Sequence, residues 1–370
     1  MTTPRRLRYL ANLLQRRVPT PPCGHHLKLT KRIRWRSLLE VIPLATNDSL
    51  LERFTQCPVC KDDHLHTQKQ FTFRKSDGAG GDDRTAELIR IYLDLIAEAP
   101  DGQAAVAVDR CANCSFLFTN PRLTPADLDR KYAEIASFDL AHRRKRGRPP
   151  HLEERRRRTT PFLLDLLPHT SASILDYGGA EGYLLSPLID AGHRGYVADY
   201  IDYAREDDRV RYLGQQISEE VTNCGPYDLI LLLHTLEHVT HPVELLQSLG
   251  ELLTPTGKIY VEVPLGAWLE WAHLREPLTH INFFSEQSVV EAAEQAGLYP
   301  CHVSTDWQYV TQSEKTPCIN LVVGNTPDPA FDRSAIRSGR RQMNPLHQLW
   351  PALSVNPRYY GKIAVKSLLS

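Results

Sequence analysis

From residue 171 onward, apolar positions gather into short runs separated by turn residues. The segments 173–177, 195–199, 209–213, 227–233 and 258–263 read as strands. Between them, 183–191, 243–253 and 286–296 carry helical spacing. Strands alternating with helices predict a mostly parallel sheet covered on both sides. Two further runs, 299–306 and 318–323, have no helix between them, which predicts a hairpin and one antiparallel strand.

Upstream the pattern differs. Leu88, Ile91, Tyr92, Leu95 and Ile96 recur at helical spacing, with Asp82 or Asp83 as candidate cap and Pro100-Asp-Gly102 as the stop. This helix lies between Cys57-Pro-Val-Cys60 and Cys111-Ala-Asn-Cys114. Two CxxC pairs are the spacing with which four thiolates grip one tetrahedral zinc, free cytosolic thiols being the alternative. Such a site is structural, with no open position for water; His64 and His66 are spare candidate ligands. Eight cysteines in 370 residues are no disulfide scaffold, and metal-binding pairs fit a reducing, cytoplasmic compartment.

The chain divides into a basic extension (1–50), a zinc-ribbon-like module (51–122), a basic helical connector (123–160), the α/β domain (161–326) and an irregular tail (327–370). An apolar fraction of 42% excludes wholesale disorder, and no apolar run reaches the roughly 18 residues of a membrane span. A net charge of zero hides two basic ribbons. Residues 1–39 carry ten Lys/Arg and no acid, and 142–158 carry nine against Glu153 and Glu154. Such ribbons read as solvated arms, or as a surface for nucleic acid or anionic membrane. Leu7, Leu10 and Leu14 with Arg5, Arg8 and Arg16 outline a short cationic helix. Arg16-Arg17 interrupts it too early for a secretory signal, whereas a mitochondrial presequence is compatible. Arg146-Gly-Arg-Pro149 resembles the core of a DNA minor-groove hook, but four residues inside a basic linker read rather as a linker or pocket lid.

At the end of the first strand stands Ile174-Leu-Asp-Tyr-Gly-Gly-Ala-Glu-Gly182, where open α/β sheets bind ligands. The nicotinamide fingerprint GxGxxG is not met, because Ala180 and Tyr183 occupy its second and third glycine positions. A pyrophosphate would also be repelled by Asp176 and Glu181, whereas an ammonium or sulfonium would be attracted. Asp199 ends the second strand, placed to accept ribose hydroxyls.

These pieces resemble class I S-adenosylmethionine-dependent methyltransferases. Leu175–Gly182 resembles their first motif, Tyr227–Val239 their fourth strand, Thr256–Pro264 the fifth, and His280-Ile-Asn-Phe-Phe-Ser285 their "H-x-N-F-F-S" stretch. The resemblance implies a Rossmann-like class I methyltransferase sheet with S-adenosyl-L-methionine as cofactor. It implies cofactor contacts from Asp176, Tyr177, Gly178, Gly179, Ala180, Gly182, Asp199, Tyr200 and His234. The chain departs from the pattern twice. Ala180 replaces the middle glycine, tolerable if its φ stays negative, and no acid follows the third strand at Gly214-Gln215-Gln216. The cysteine module, with Phe116–Arg122 and Tyr132 after it, resembles the zinc module of small-molecule methyltransferases, among them sugar C-methyltransferases. Their large C-terminal domain has no counterpart here.

Methyl transfer requires alignment and, for a protonated nucleophile, a base. Glu237 and His238 follow the fourth strand and serve either as base and orienting carboxylate or as helix-capping residues. His234, His273 and His280 are further candidates. His280 and Tyr132 are placed near the acceptor by the resemblance. The expected function is methyl transfer to oxygen or carbon of a small molecule, a sugar or other secondary metabolite. The alternative is a nucleic-acid or protein factor docking through the Arg-rich segments. The N/D-P-P-Y/F signature of amino methylation is missing from the sequence.

Overall fold

The computed structural model describes residues 51–74, 84–95, 103–146, 150–266, 278, 280–309 and 315–338, all within one compact unit. The basic extension, the caps around 82–83 and 100–102, Gly147–Pro149 of the hook and His273 lie outside the described residues.

The N-terminal module runs β1 (Leu51–Glu52), β2 (Leu65–Arg74), α1 (Arg84–Leu95), β3 (Gln103–Cys111), β4 (Leu117–Asn120) and β5 (Arg122–Leu123). β2, β3 and β4 form an antiparallel meander, and β1 pairs with β5. Ile91 and Tyr92 of α1 bury against Phe73, Ala104, Val106 and Leu123, which gives the helical spacing its core. Two helices follow, α2 (Pro125–Arg146) and α3 (Pro150–Asp165). Thr124 starts α2 by accepting from the Asp127 N–H at 3.3 Å, and Asp127 accepts in turn from the Thr124 hydroxyl.

The α/β part continues through β6 (Ser173–Tyr177), α4 (Leu185–Asp190), β7 (Arg194–Ala198), β8 (Arg211–Tyr212), α5 (Glu219–Cys224) and β9 (Tyr227–Leu233). After a 3₁₀ turn at Leu236–His238 come α6 (Pro242–Gly250), β10 (Leu253–Pro264), β11 (Asn282–Phe283), α7 (Glu286–Gln295), β12 (Tyr299–Tyr309) and β13 (Lys315–Gly324). Seven strands order as β8-β7-β6-β9-β10-β13-β12, with β13 antiparallel to both neighbours. Ile174, Leu229, Leu231 and Tyr260 from the sheet and Leu163, Leu184, Leu185 and Leu188 from its cover form one core.

Several elements differ from the sequence reading: the strand expected over 258–263 spans Leu253–Pro264, and the helix expected over 243–253 ends at Gly250. The helix expected from 183 starts at Leu185, because the glycine-rich turn extends to Leu184. The strand expected over 209–213 keeps only two residues, paired at the sheet edge as Tyr196↔Arg211 and Val197↔Tyr212. α5 was not expected; six residues are too few to show a period, and Ser218 caps them by accepting from Val221 N–H.

β11 does not join the large sheet. It pairs with β4 (Asn282↔Phe118, Phe283↔Leu117) as a fourth strand of the module's sheet. The H-x-N-F-F-S stretch therefore ties the cysteine module to the α/β part.

Candidate active site

One cavity of about 330 Å³ opens at the carboxyl ends of β6, β7 and β9. On its walls are Gly178, Ala180, Asp199, Tyr200, His234 and His238, together with Asp129 and Tyr132 of α2. The glycine-rich turn is dictated by close contact. Gly178 adopts φ +76°, and a Cβ there would collide with Thr235 Oγ1; a Cβ on Gly179 would collide with the Asp176 carboxylate. Ala180 corrects an expectation: its φ is +49°, the left-handed region that L side chains avoid. Its N–H donates to Asp199 Oδ2 at 2.9 Å, and Ile201 N–H donates to Oδ1 at 3.0 Å. Asp199 thus closes the turn and lines the cavity.

Asp176 lies beneath the turn, 1% exposed, and its Oδ1 has no hydrogen-bond partner among the described residues. Burial first, then the Asp199 charge, pushes its carboxyl up to about 7, against the pull of Arg155. A buried, unpaired acid beside bare backbone is a fitting receptor for an ammonium group.

Next to the glycine-rich turn, past Thr235, stands a cluster of imidazoles around Glu237. Glu237 is 1% exposed and neither carboxylate oxygen makes a hydrogen bond among the described residues. His234 Nδ1 stands 3.3 Å and His238 Nε2 3.8 Å from its Oε1, and the His280 ring lies 4.8 Å from that of His238. Burial opposes ionisation of Glu237, but the surrounding histidines prevail and hold it down at about 2. His234, at φ +50°, points its other nitrogen to Glu262 at 3.0 Å, and Glu262 also pairs with Arg155 of α3. Burial disfavours the His234 cation, yet Cys318, Glu237 and Glu262 raise its pKa well above the ordinary imidazole range. Its imidazole is thereby committed to carboxylates, while His238 faces the cavity with its ring edge-on to Tyr132 at 6.3 Å.

This cluster is fastened by Asn282 of β11. Its Nδ2 donates to Leu236 O (2.9 Å) and Val239 O (2.7 Å), and Ile281 N–H donates to Glu237 O at 2.9 Å. Arg122 of β5, 2% exposed, donates to Asn282 Oδ1 (3.0 Å) and Thr240 O (2.9 Å), and lies over the Phe54 ring. Neither Asp129 nor Arg155 was singled out from the sequence. The one available signal is that Asp129 precedes Tyr132 by three residues and so shares its helical face.

Away from the cavity, Cys57, Cys60, Cys111 and Cys114 bring all four sulfurs within 4.8 Å of one another. Each pair is followed by a left-handed residue, Lys61 (φ 62°) and Ser115 (φ 61°), so two like knuckles face each other. His64 stands apart from the four sulfurs, exposed beside Asp62 and Asp63.

The strand order, the glycine-rich turn after the central strand and the acid ending the next define a class I S-adenosylmethionine-dependent methyltransferase fold. Residues 151–303 match the family model described as a methyltransferase domain, and the chain carries that domain. Among solved structures, the chain is similar to 1,6-didemethyltoxoflavin-N1-methyltransferase of Burkholderia thailandensis, which holds S-adenosylhomocysteine. That similarity amounts to 14% identity and a TM-score of 0.43 over 60% of this chain and 96% of that one. It is also similar to CcbJ methyltransferase of Streptomyces caelestis, at 15% identity and a TM-score of 0.37 over 48% and 90%. A third is the complex of the Trm112 methyltransferase activator of Haloferax volcanii, at 18% and 0.39 over 48% and 92%. With TM-scores below 0.5, these likenesses add nothing to an assignment that stands on the strand order and the matched domain. No curated protein matches the chain.

Proposed function

We propose that the chain methylates an oxygen or carbon of a small-molecule acceptor and that the four cysteines hold a structural zinc. The observation carrying the first reading is that a single cavity is lined by the glycine-rich turn and by His238 with Tyr132. S-adenosylmethionine, when bound, supplies a methyl group made electrophilic by its sulfonium. Asp176 would take the ammonium of its amino-acid end, and Asp199 the ribose hydroxyls. The orphaned Asp176 oxygen fits that ammonium. His238 would accept the proton of the acceptor's hydroxyl or activated carbon, with Glu237 behind it compensating the imidazolium charge. Tyr132, His280 and the apolar side chains of Leu128, Ile135 and Leu245 would position the acceptor. The acceptor in this reading is a sugar or other secondary metabolite.

For zinc, the supporting geometry is the sulfur separations. Cys57–Cys114 is 3.7 Å and Cys60–Cys111 is 3.5 Å, against the edge of about 3.8 Å in a tetrahedron with zinc–sulfur bonds of about 2.3 Å. Nucleic-acid docking finds less support, because part of the second ribbon is turned inward. Arg155 pairs with Glu262 and Arg156 with Glu206. No helix among the described residues is long and apolar enough to cross a membrane.

The test is calorimetric titration of metal-analysed protein with S-adenosylmethionine and S-adenosylhomocysteine, then an acceptor screen. Micromolar binding is expected. With the acceptor found, His238→Ala should retain cofactor binding and lose at least about a hundredfold in turnover. A folded, zinc-loaded protein that binds neither compound would refute the cofactor reading.

A further inference from the structure

The sequence leaves one cofactor contact without a residue, since no acid follows the third strand at Gly214-Gln215-Gln216. Another element fills that place. Adjacent strands run β6-β7-β8; the glycine-rich turn follows β6 and Asp199 ends β7. A nucleoside whose ribose rests on Asp199 therefore lays its base over the end of β8. Gln216 stands there, held at φ +53°, a strained conformation for a residue with a side chain. Its Nε2 donates to Asp129 Oδ1 at 2.8 Å, and the Tyr200 hydroxyl donates to the same oxygen at 3.0 Å. Asp129, Tyr200 and Gln216 all line the cavity. Both bonds fall on Oδ1, and Oδ2 makes none to a described residue.

We propose that Asp129 Oδ2 accepts a hydrogen bond from the 6-amino group of the cofactor's adenine. Helix α2 then reads the cofactor through Asp129 and the acceptor through Tyr132, one turn apart. This rests on the cofactor reading above and adds a residue to it. A carboxylate is acceptor-only, so it selects the amino group of adenine and opposes hypoxanthine, which offers a carbonyl oxygen at that position. Gln216 and Tyr200 fix the carboxylate before the cofactor arrives, which keeps the ordering cost of binding low.

The test compares S-adenosylhomocysteine with S-inosylhomocysteine, its 6-oxo counterpart, by calorimetry on the full chain. The unmodified protein should bind the adenine compound at least about tenfold more tightly, and Asp129→Ala should bring the two within about twofold. Should Asp129→Ala not fold, Asp129→Asn serves, because its amide can donate to the 6-oxo group and should likewise collapse the preference. Equal binding of both compounds by the unmodified protein, or a preference that survives in the variants, overturns the role of Asp129 and leaves the cofactor reading standing. Binding of neither compound by the unmodified protein overturns both.

Discussion

Ala180 bears backbone strain at the point where the cofactor turn is tightest. Its left-handed φ of +49° costs an alanine roughly 1–2 kcal/mol that a glycine does not incur. Glycine gives back part of that through the entropy of the unfolded chain. Ala180→Gly should therefore stabilise the protein by about 0.5–1 kcal/mol, visible as a higher melting temperature with cofactor affinity unchanged or tighter. A lower melting temperature would show that the alanine methyl makes a contact worth more than the strain. Asp176 gives a second prediction from its raised pKa of about 7. The folded state holds the proton more tightly than the unfolded one, so this group costs stability as pH rises from the usual carboxylate range through 7. An ammonium ligand prefers the ionised acid. Affinity for S-adenosylhomocysteine should thus increase from pH 6 toward 8, by up to about tenfold per unit below pH 7, with proton release on binding. Asp176→Asn should weaken binding and flatten that slope; an unchanged slope would remove Asp176 from the ammonium site.

Among elements, helix α3 is joined to the sheet by a charge rather than by shape alone. Arg155 reaches Glu262 at the end of β10, and Glu262 is fully buried while also holding His234 and the Tyr260 hydroxyl. Replacing Arg155 by Met leaves that carboxylate buried with its chief cation gone. A loss of about 3 kcal/mol is expected in denaturant unfolding, partly restored by the second change Glu262→Gln. An unperturbed single variant would mean that His234 alone suffices. The ease of reading each element from sequence follows the same physics. β6 and β9 keep the bounds read from the sequence, because each is a short, mostly apolar run closed by turn residues. The acid ending β7 was legible because topology places it without reference to other elements. β8, at the sheet edge, and α5, six residues long, carry too little pattern. Asp129 and Arg155 were not legible as site residues. Their sequence signals are those of solvated helix positions, and only the folding of α2 and α3 across the strand ends brings them inward. The sign of φ at Ala180 is likewise set by the turn as a whole.

At the scale of the molecule, the cysteine cluster and the cavity are linked through a continuous set of bonds. Cys111 and Cys114 form the turn between β3 and β4, and β4 is the strand on which β11 lies. Thr119 N–H of β4 donates to Ile281 O at 3.0 Å, while Ile281 N–H donates to Glu237 O. Asn282 then fastens the turn that carries Glu237 and His238. The glycine-rich turn rests chiefly on β6 and β7, with Gly178 N–H donating to Ala198 O at 2.7 Å, and meets the turn of Glu237 and His238 through Thr235. On the proposed reading, loss of zinc from the four thiolates should loosen the turn of Glu237 and His238 before the glycine-rich turn. After removal of zinc by chelation under reducing conditions, the melting temperature should drop and turnover should fall at least about tenfold. Affinity for S-adenosylhomocysteine at the same temperature should change less than about threefold. Metal analysis before and after, with restoration of turnover on adding one equivalent of zinc, separates this from irreversible unfolding. Full turnover in the metal-free protein would show that the module's sheet holds β11 in register without its cysteines bridged, and that packing around Phe116, Phe118 and Phe284 is enough.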